Sequence, residues 1–120
     1  MKLLYIAGRY RGISDEQVQL NIETAKYFGM LAIEKGWYPV IPHMNTAHME
    51  AITCVGDSFF IEGTLELMER CDAVLMIPGW EPSVGASGER KRAMDLGMPV
   101  YDQTTAPLPP AELPTSRGQI

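Results

Sequence analysis

Cysteine is scarce in this chain. Only Cys54 and Cys71 occur among 120 residues, and neither stands in a CxxC or other metal-ligand spacing. Both are expected as buried, reduced thiols. Positive charge is also short, with 10 Lys and Arg against 15 Asp and Glu, a net charge of −5 and a pI near 4.9. An acidic surface argues against a polymeric nucleic-acid partner, because phosphate contacts need a basic patch. A small nucleotide stays open, since a few local arginines suffice for one phosphate. No apolar run approaches the roughly 20 residues of a membrane span, so no membrane partner is expected. Met1-Lys-Leu-Leu-Tyr-Ile-Ala-Gly8 is too short an apolar stretch for a signal peptide, and a cytoplasmic location is expected. There is no internal repeat. His43 and His48 stand five residues apart with no fixed acidic third ligand, so no metal site is expected.

What remains is ordinary globular composition, 46% hydrophobic and 21% charged, in a length that suits one core. Leu3-Leu-Tyr-Ile-Ala7 is a short apolar run ending at Gly8 and reads as a first, central strand. A polar loop, Arg9 to Asp15, follows. Ser14 or Asp15 then caps a helix to about Lys35, with Val18, Ile22, Ala25, Gly29, Ala32 and Ile33 on one face. Gly36 stops it. Trp37–Ile41 reads as a second strand ended by Pro42-His43. Residues 44–56 fit either a short helix or a loop. A helix from Asp57 or Ser58 to about Arg70 should turn Ile61, Leu65 and Met68 to the core. Ala73–Ile77 is the third strand, Val84 to Leu96 a further helix, and Pro99–Tyr101 a short last strand.

Strands alternating with helices imply right-handed crossovers and an α/β three-layer open sandwich. The expected sheet is small, mostly parallel, Rossmann-like or flavodoxin-like, with four to five strands. The domain should cover residues 1–103. Residues 104–120, rich in proline, read as an extended or disordered arm. Ligands of such sheets bind beyond the carboxyl ends of the strands. The Gly8–Gly12 loop, the Pro42-His43 turn and the Pro78–Glu89 segment should therefore share one rim.

Ser83-Val-Gly-Ala-Ser-Gly-Glu89 is the most informative stretch on that rim. A glycine-rich strand-to-helix turn lets backbone N–H groups approach an anionic or hydroxylated ligand. A carboxylate in the first turn of the helix sits where the dipole favours its ionised form. Gly8-Arg-Tyr-Arg-Gly12 falls short of a dinucleotide fingerprint, but its arginines, Arg11 above Arg9, can fork onto a phosphate. Tyr5 is either a core residue or one whose hydroxyl finds a partner near the strand end. Asp57 follows Gly56 at a helix start, where Asp is also a favoured cap. His43 is either a switchable acid or a satisfied turn residue. Trp80 is either a stacking wall for a base or a packing anchor.

Four stretches, in this order and spacing, resemble the nucleoside 2-deoxyribosyltransferase superfamily: Tyr5-Ile-Ala-Gly-Arg-Tyr-Arg-Gly12, the helix opening at Asp57, Cys71-Asp-Ala-Val-Leu-Met76, and Ser83–Glu89. The resemblance is greatest to the 2'-deoxynucleoside 5'-monophosphate N-glycosidases and to small uncharacterised bacterial and phage relatives. It covers roughly residues 3–101. It implies that Glu89 is the nucleophile, that Asp57 assists catalysis, and that Tyr5 lies beside the nucleophile. It further implies phosphate contacts from Ser83, which stands where many transferases have Asp, and from Arg11-Gly12. Arg9 and the Pro78-Gly-Trp-Glu-Pro82 loop depart from the glycosidase pattern.

The chemistry so implied is cleavage of an N-glycosidic bond, by hydrolysis or base exchange, in a nucleoside 5'-monophosphate or nucleoside. A carboxylate beneath the anomeric carbon stabilises or captures the oxocarbenium-like sugar, and this chemistry needs no metal and no organic cofactor. Gly8, Arg11, Gly12, His43, Trp80, Ser83 and Gly85 would bind substrate, Gly85 by allowing close backbone approach. The resemblance also implies a homo-oligomer, a dimer or higher. The alternative is a non-catalytic nucleotide-binding or sensor domain of the same fold.

Overall fold

Leu3–Ala7 and Ala73–Met76 are apolar throughout, as strands covered on both faces must be. In the computed structural model, which describes residues 1–111, they form β1 (Leu3–Ala7) and β3 (Ala73–Met76) at the centre of a sheet. β2 (Tyr38–Val40) and β4 (Val100–Asp102) flank them in the order β2-β1-β3-β4, and every pairing is parallel. The register sets Tyr5 opposite both Val40 and Val74. Pro39 lies in edge strand β2, where a missing N–H is tolerated.

The helices are α1 (Asp15–Glu34), α2 (Pro42–Asn45), α3 (Asp57–Glu69) and α4 (Val84–Asp95), with a 3₁₀ turn at Met49–Ala51. Residues 44–56 thus hold the end of α2 and that turn, joined by loop. Alternation along β1 divides the core. Leu4 and Ile6 face Ala25 and Ala32 of α1, while Tyr5 and Ala7 face Met68 of α3 and Ala86 and Ala93 of α4. This is the three-layer Rossmann-like sandwich that the order of segments predicts. No described helix is long and apolar enough to cross a membrane.

Ser14 caps α1, its Oγ accepting from the Gln17 N–H at 3.1 Å. The buried stripe is Ile22, Ala25, Gly29 and Ala32. Three of these four are small, so α1 lies close to the sheet and its buried stripe is narrow. Ile33, expected on the core face, is left exposed. Ile61 is also exposed, because the first half of α3 carries little but solvent around it; Leu65, Leu67 and Met68 further along reach the core cluster.

Beyond β4 the chain turns back over the α1 side. Leu108 is 3% exposed in the core, Trp37 Nε1–H donates to the Pro109 carbonyl at 2.8 Å, and the Ala111 N–H donates to the Lys35 carbonyl at 2.9 Å. Residues 104–111, placed in the arm by sequence, are therefore docked without forming a helix or strand. Residues 112–120 of that arm lie outside the described residues.

The cysteines differ from expectation. Cys54 is exposed, in the loop ahead of α3. Cys71 is half-buried, and burial, then the Asp72 charge, pushes its thiol up to about 11.

Candidate active site

α3 runs directly into β3, so its carboxyl end meets the amino edge of the sheet and its start lies at the carboxyl edge. α4 follows β3 and starts at that same edge. Strand order reverses between β1 and β3, which makes this edge the topological switch point. Tyr5, the Gly8–Gly12 loop, His43, Asp57 and the Trp80–Glu89 segment all border it.

The Tyr5 hydroxyl donates a hydrogen bond to Glu89 Oε2. Tyr5 is fully buried on β1, and Glu89 reaches it from α4. Burial pushes the Glu89 carboxyl up to about 7, and the Tyr5 hydrogen bond opposes that rise. Burial, then the Glu89 charge, raises the Tyr5 phenol far above its ordinary range, so it stays a donor. A carboxyl balanced near neutrality can act as base, acid or, when ionised, nucleophile.

The stretch Ser83–Glu89 is not the loop cradle its glycines suggest. The helix begins at Val84, so Gly85 and Gly88 lie inside it and Glu89 is its sixth residue, past the first turn. The reason is the cap: Ser83 Oγ accepts from the Ala86 N–H at 3.2 Å. The expectation that the dipole favours ionised Glu89 fails with it, since burial dominates and the shift is upward. Gly85 is exposed, and a side chain there would meet only Ser83 Oγ, at 4.0 Å. The backbone at the start of α4 is therefore open to a ligand.

Asp57 is the first residue of α3, with Gly56 as the cap. Its carboxylate pairs with Arg11 at 2.9 Å, and both side chains are more than 60% exposed, at 65% and 63%. The proposed acid and the proposed phosphate ligand are thus partners of one another. Glycine is required on both sides of Arg11. A Cβ at Gly8 would collide with Cγ1 and Cδ1 of Ile77, and one at Gly12 with Cβ and Cγ of Gln17. Arg9 Nε donates to the Arg11 carbonyl at 3.1 Å.

His43 is 3% exposed. Its Nε2 lies 3.0 Å from the Arg9 carbonyl and so carries the hydrogen, and Nδ1 has no partner among the described residues. Burial holds the imidazole below its usual range, hence neutral. The Tyr10 ring packs edge-on against it. Trp80 presents its face to the Arg90 guanidinium, 5.1 Å away, and its Nε1–H to Asp102 at 3.2 Å.

Sequence reading passed over several residues that build this rim. The Asn21 amide donates to the carbonyls of Tyr10 and Arg11, at 3.0 and 3.2 Å, and so fixes the first loop. The Tyr10 hydroxyl donates to Glu50 and accepts from the His48 N–H at 2.8 Å, tying the segment before α3 to that loop. His48 holds this place in the left-handed region, at φ 64°. Arg90 and Asp102 were also missed; the one available signal was that Arg90 stands seven residues after Ser83, on the same helical side. Two cavities lie away from Glu89. One of about 110 Å³ opens between α1 and Leu108, and an open groove of about 420 Å³ runs along β2 to Leu67. Among the described residues no three His, Cys, Asp or Glu side chains converge as metal ligands do.

No curated protein matches this chain. Among solved structures it is similar to a 2-desoxiribosyltransferase from Leishmania mexicana, with a TM-score of 0.60 and 22% identity over 85% of this chain. The match spans 63% of that protein's length. At this identity the likeness is one of fold. Residues 2–103 match the family described as a domain of unknown function, DUF7768, and the chain belongs to that family.

Proposed function

We propose that this protein cleaves the N-glycosidic bond of a nucleoside or nucleoside 5'-monophosphate. The observation that carries the reading is the half-buried Glu89 carboxyl at the switch point, hydrogen-bonded by Tyr5. The fold likeness to a 2-desoxiribosyltransferase supports it. Ionised Glu89 attacks the anomeric carbon as the bond to the base breaks. The bond electrons pass to the base nitrogen, which takes a proton from Asp57, directly or through water. The resulting glycosyl ester is opened by water, giving hydrolysis, or by a second base, giving exchange. Tyr5 orients Glu89 and favours its ionised form.

Arg11, Gly12 and Ser83 hold a 5'-phosphate in this reading, and Gly85 lets it approach the α4 backbone. Ser83 Oγ accepts from Ala86, which leaves its own O–H to donate. Arg11 gains a phosphate by sharing or leaving Asp57, which frees that carboxyl for proton transfer. His43 and Gly8 shape the wall through the Arg9 carbonyl and Ile77. Phe59, exposed on α3 two residues after Asp57, supports a homo-oligomer.

The test is incubation with a panel of nucleosides and 5'-monophosphates, with and without an acceptor base, followed by chromatography for free base. Release or exchange is expected from the parent and its loss from Glu89→Gln. Binding without any release across the panel would favour the sensor reading. Equal release by parent and Glu89→Ala would remove Glu89 as nucleophile.

A further inference from the structure

Glu89 and Arg90 stand three and four residues after Ala86, and four and three before Ala93. They therefore splay to either side of the buried Ala86–Ala93 ridge. Glu89 goes to Tyr5, whereas Arg90 goes to Trp80, toward β4. Arg90 is not the counter-ion of Glu89: the causes that set the Glu89 carboxyl are burial and Tyr5. Arg11, Arg70 and Arg92 each pair with a carboxylate. Arg90 has no carboxylate within ion-pair distance among the described residues, and its buried Nε–H has no acceptor there. A buried donor left unpaired costs roughly 1–3 kcal/mol, so an acceptor beyond the described residues is called for.

Asp102, at the end of β4, faces the same space. Its Oδ1 accepts from the Thr104 N–H at 2.9 Å and the Thr104 hydroxyl at 2.6 Å; among the described residues its Oδ2 accepts only the Trp80 N–H, at 3.2 Å. Oδ2 keeps a lone pair to offer. Burial alone would raise this carboxyl, but Thr104, Trp80 and the Arg90 charge together hold it below its ordinary value. Asp102 is thus an ionised acceptor attracted to Arg90 without touching it. Trp80 bridges the two, one ring face toward the guanidinium and its N–H on the carboxylate. A second anion is a poor occupant of this space, because Asp102 repels it. A group with one N–H and one carbonyl side by side suits both.

We propose that Arg90 and Asp102 read the lactam edge, –NH–C(=O)–, of a nucleobase. The guanidinium donates to the carbonyl and the carboxylate accepts the N–H. The substrates selected are then nucleosides or nucleotides of hypoxanthine, guanine, uracil or thymine, against those of adenine and cytosine, which lack that edge. This rests on the reading that the site takes a nucleoside or nucleotide. Trp80 is then the support that holds Arg90 flat, not the wall on which the base stacks.

The test compares matched pairs that differ in this edge: 2'-deoxyinosine with 2'-deoxyadenosine, and thymidine with 5-methyl-2'-deoxycytidine, each also as the 5'-monophosphate. Equilibrium dialysis against Glu89→Gln reads binding without turnover, and base release by the parent reads the reaction. The lactam member should be preferred about tenfold or more. Arg90→Gln, Asp102→Asn and Arg90→Lys, which keeps the charge but loses the planar fork, should each bring the pair to within about threefold. The parent's own preference needs no variant, so a misfolded substitution leaves the test intact. Base release without preference, or a preference that survives all three substitutions, overturns the proposal and leaves the glycosidase reading standing. A binding preference without base release supports the proposal and overturns the glycosidase reading. Failure of every probe to bind overturns both.

Discussion

Tyr5 on β1 and Glu89 on α4 stand 84 positions apart in the chain and share one hydrogen bond. The bond ties the layer of α3 and α4 to the central strand. It also joins two titrating groups whose shifts have opposite consequences: Tyr5 is fixed as a donor, while Glu89 is poised near neutrality.

The first expectation is a pH profile. If ionised Glu89 is the nucleophile, kcat/KM rises with pH and levels off above about 7. Tyr5→Phe removes the interaction that lowers the Glu89 carboxyl, so the rising limb should move to higher pH. A limb that stays in place, or moves down, would contradict the assigned pair.

Stability should respond to the same group. The folded-state value of about 7 lies above the ordinary 4.5, so the protonated form favours folding. That contribution is complete below pH 4.5 and is lost as pH rises through 7. Glu89→Gln lacks the loss. Thermal or urea unfolding at pH 8 should find the variant more stable than the parent by on the order of 2 kcal/mol, with that advantage shrinking as pH falls toward 4.5. An advantage that grows toward acid pH would reverse the sign argued here.

Asp57 separates stability from activity. Its pair with Arg11 is exposed, and such pairs contribute about 0.2–1 kcal/mol. Asp57→Asn should barely move the melting temperature, yet slow base release roughly 100-fold, as loss of an acid–base group does. Unchanged turnover would leave Asp57 as a surface ion-pair residue.

Leu108 tests the docked segment after β4. It is buried against the α1 side of the core, and Leu108→Ala should cost about 2–4 kcal/mol in urea denaturation. A change below about 0.5 kcal/mol would mean that this segment adds little to the core.

Phe59 tests association. A homo-oligomer built on α3 should dissociate to monomer in light scattering when Phe59 is changed to Glu, and the parent should not be monomeric. A monomeric parent would remove the homo-oligomer from the reading.

The site was partly legible in sequence because some of its logic is local. Gly8 and Gly12, which bracket Arg11, mark close approach to Ile77 and Gln17, and glycine is visible without coordinates. Asp57 and Ser83 stand at helix starts, which capping chemistry reveals. The state of Glu89 was not legible. Proximity to a helix start argued for ionisation, but in the helix that begins at Val84, as read, Glu89 is the sixth residue, and burial reversed the shift. Arg11 looked like a free cation until the fold set it against Asp57. Arg90 and Asp102 were not singled out in sequence; Trp80 brings them to one space.

The sequence by itself determined the layers. Apolar runs of strand length alternating with amphipathic helices can bury their faces only as a parallel sheet between helices, and ligands of such a sheet bind beyond the carboxyl ends of its strands. Tertiary structure decided every property that depends on what lies across a gap. Burial raised one carboxyl, an aspartate occupied one arginine, and an indole held another arginine beside an aspartate without letting them pair. Desolvation and Coulomb attraction vary with distance in space, and the sequence records only distance along the chain.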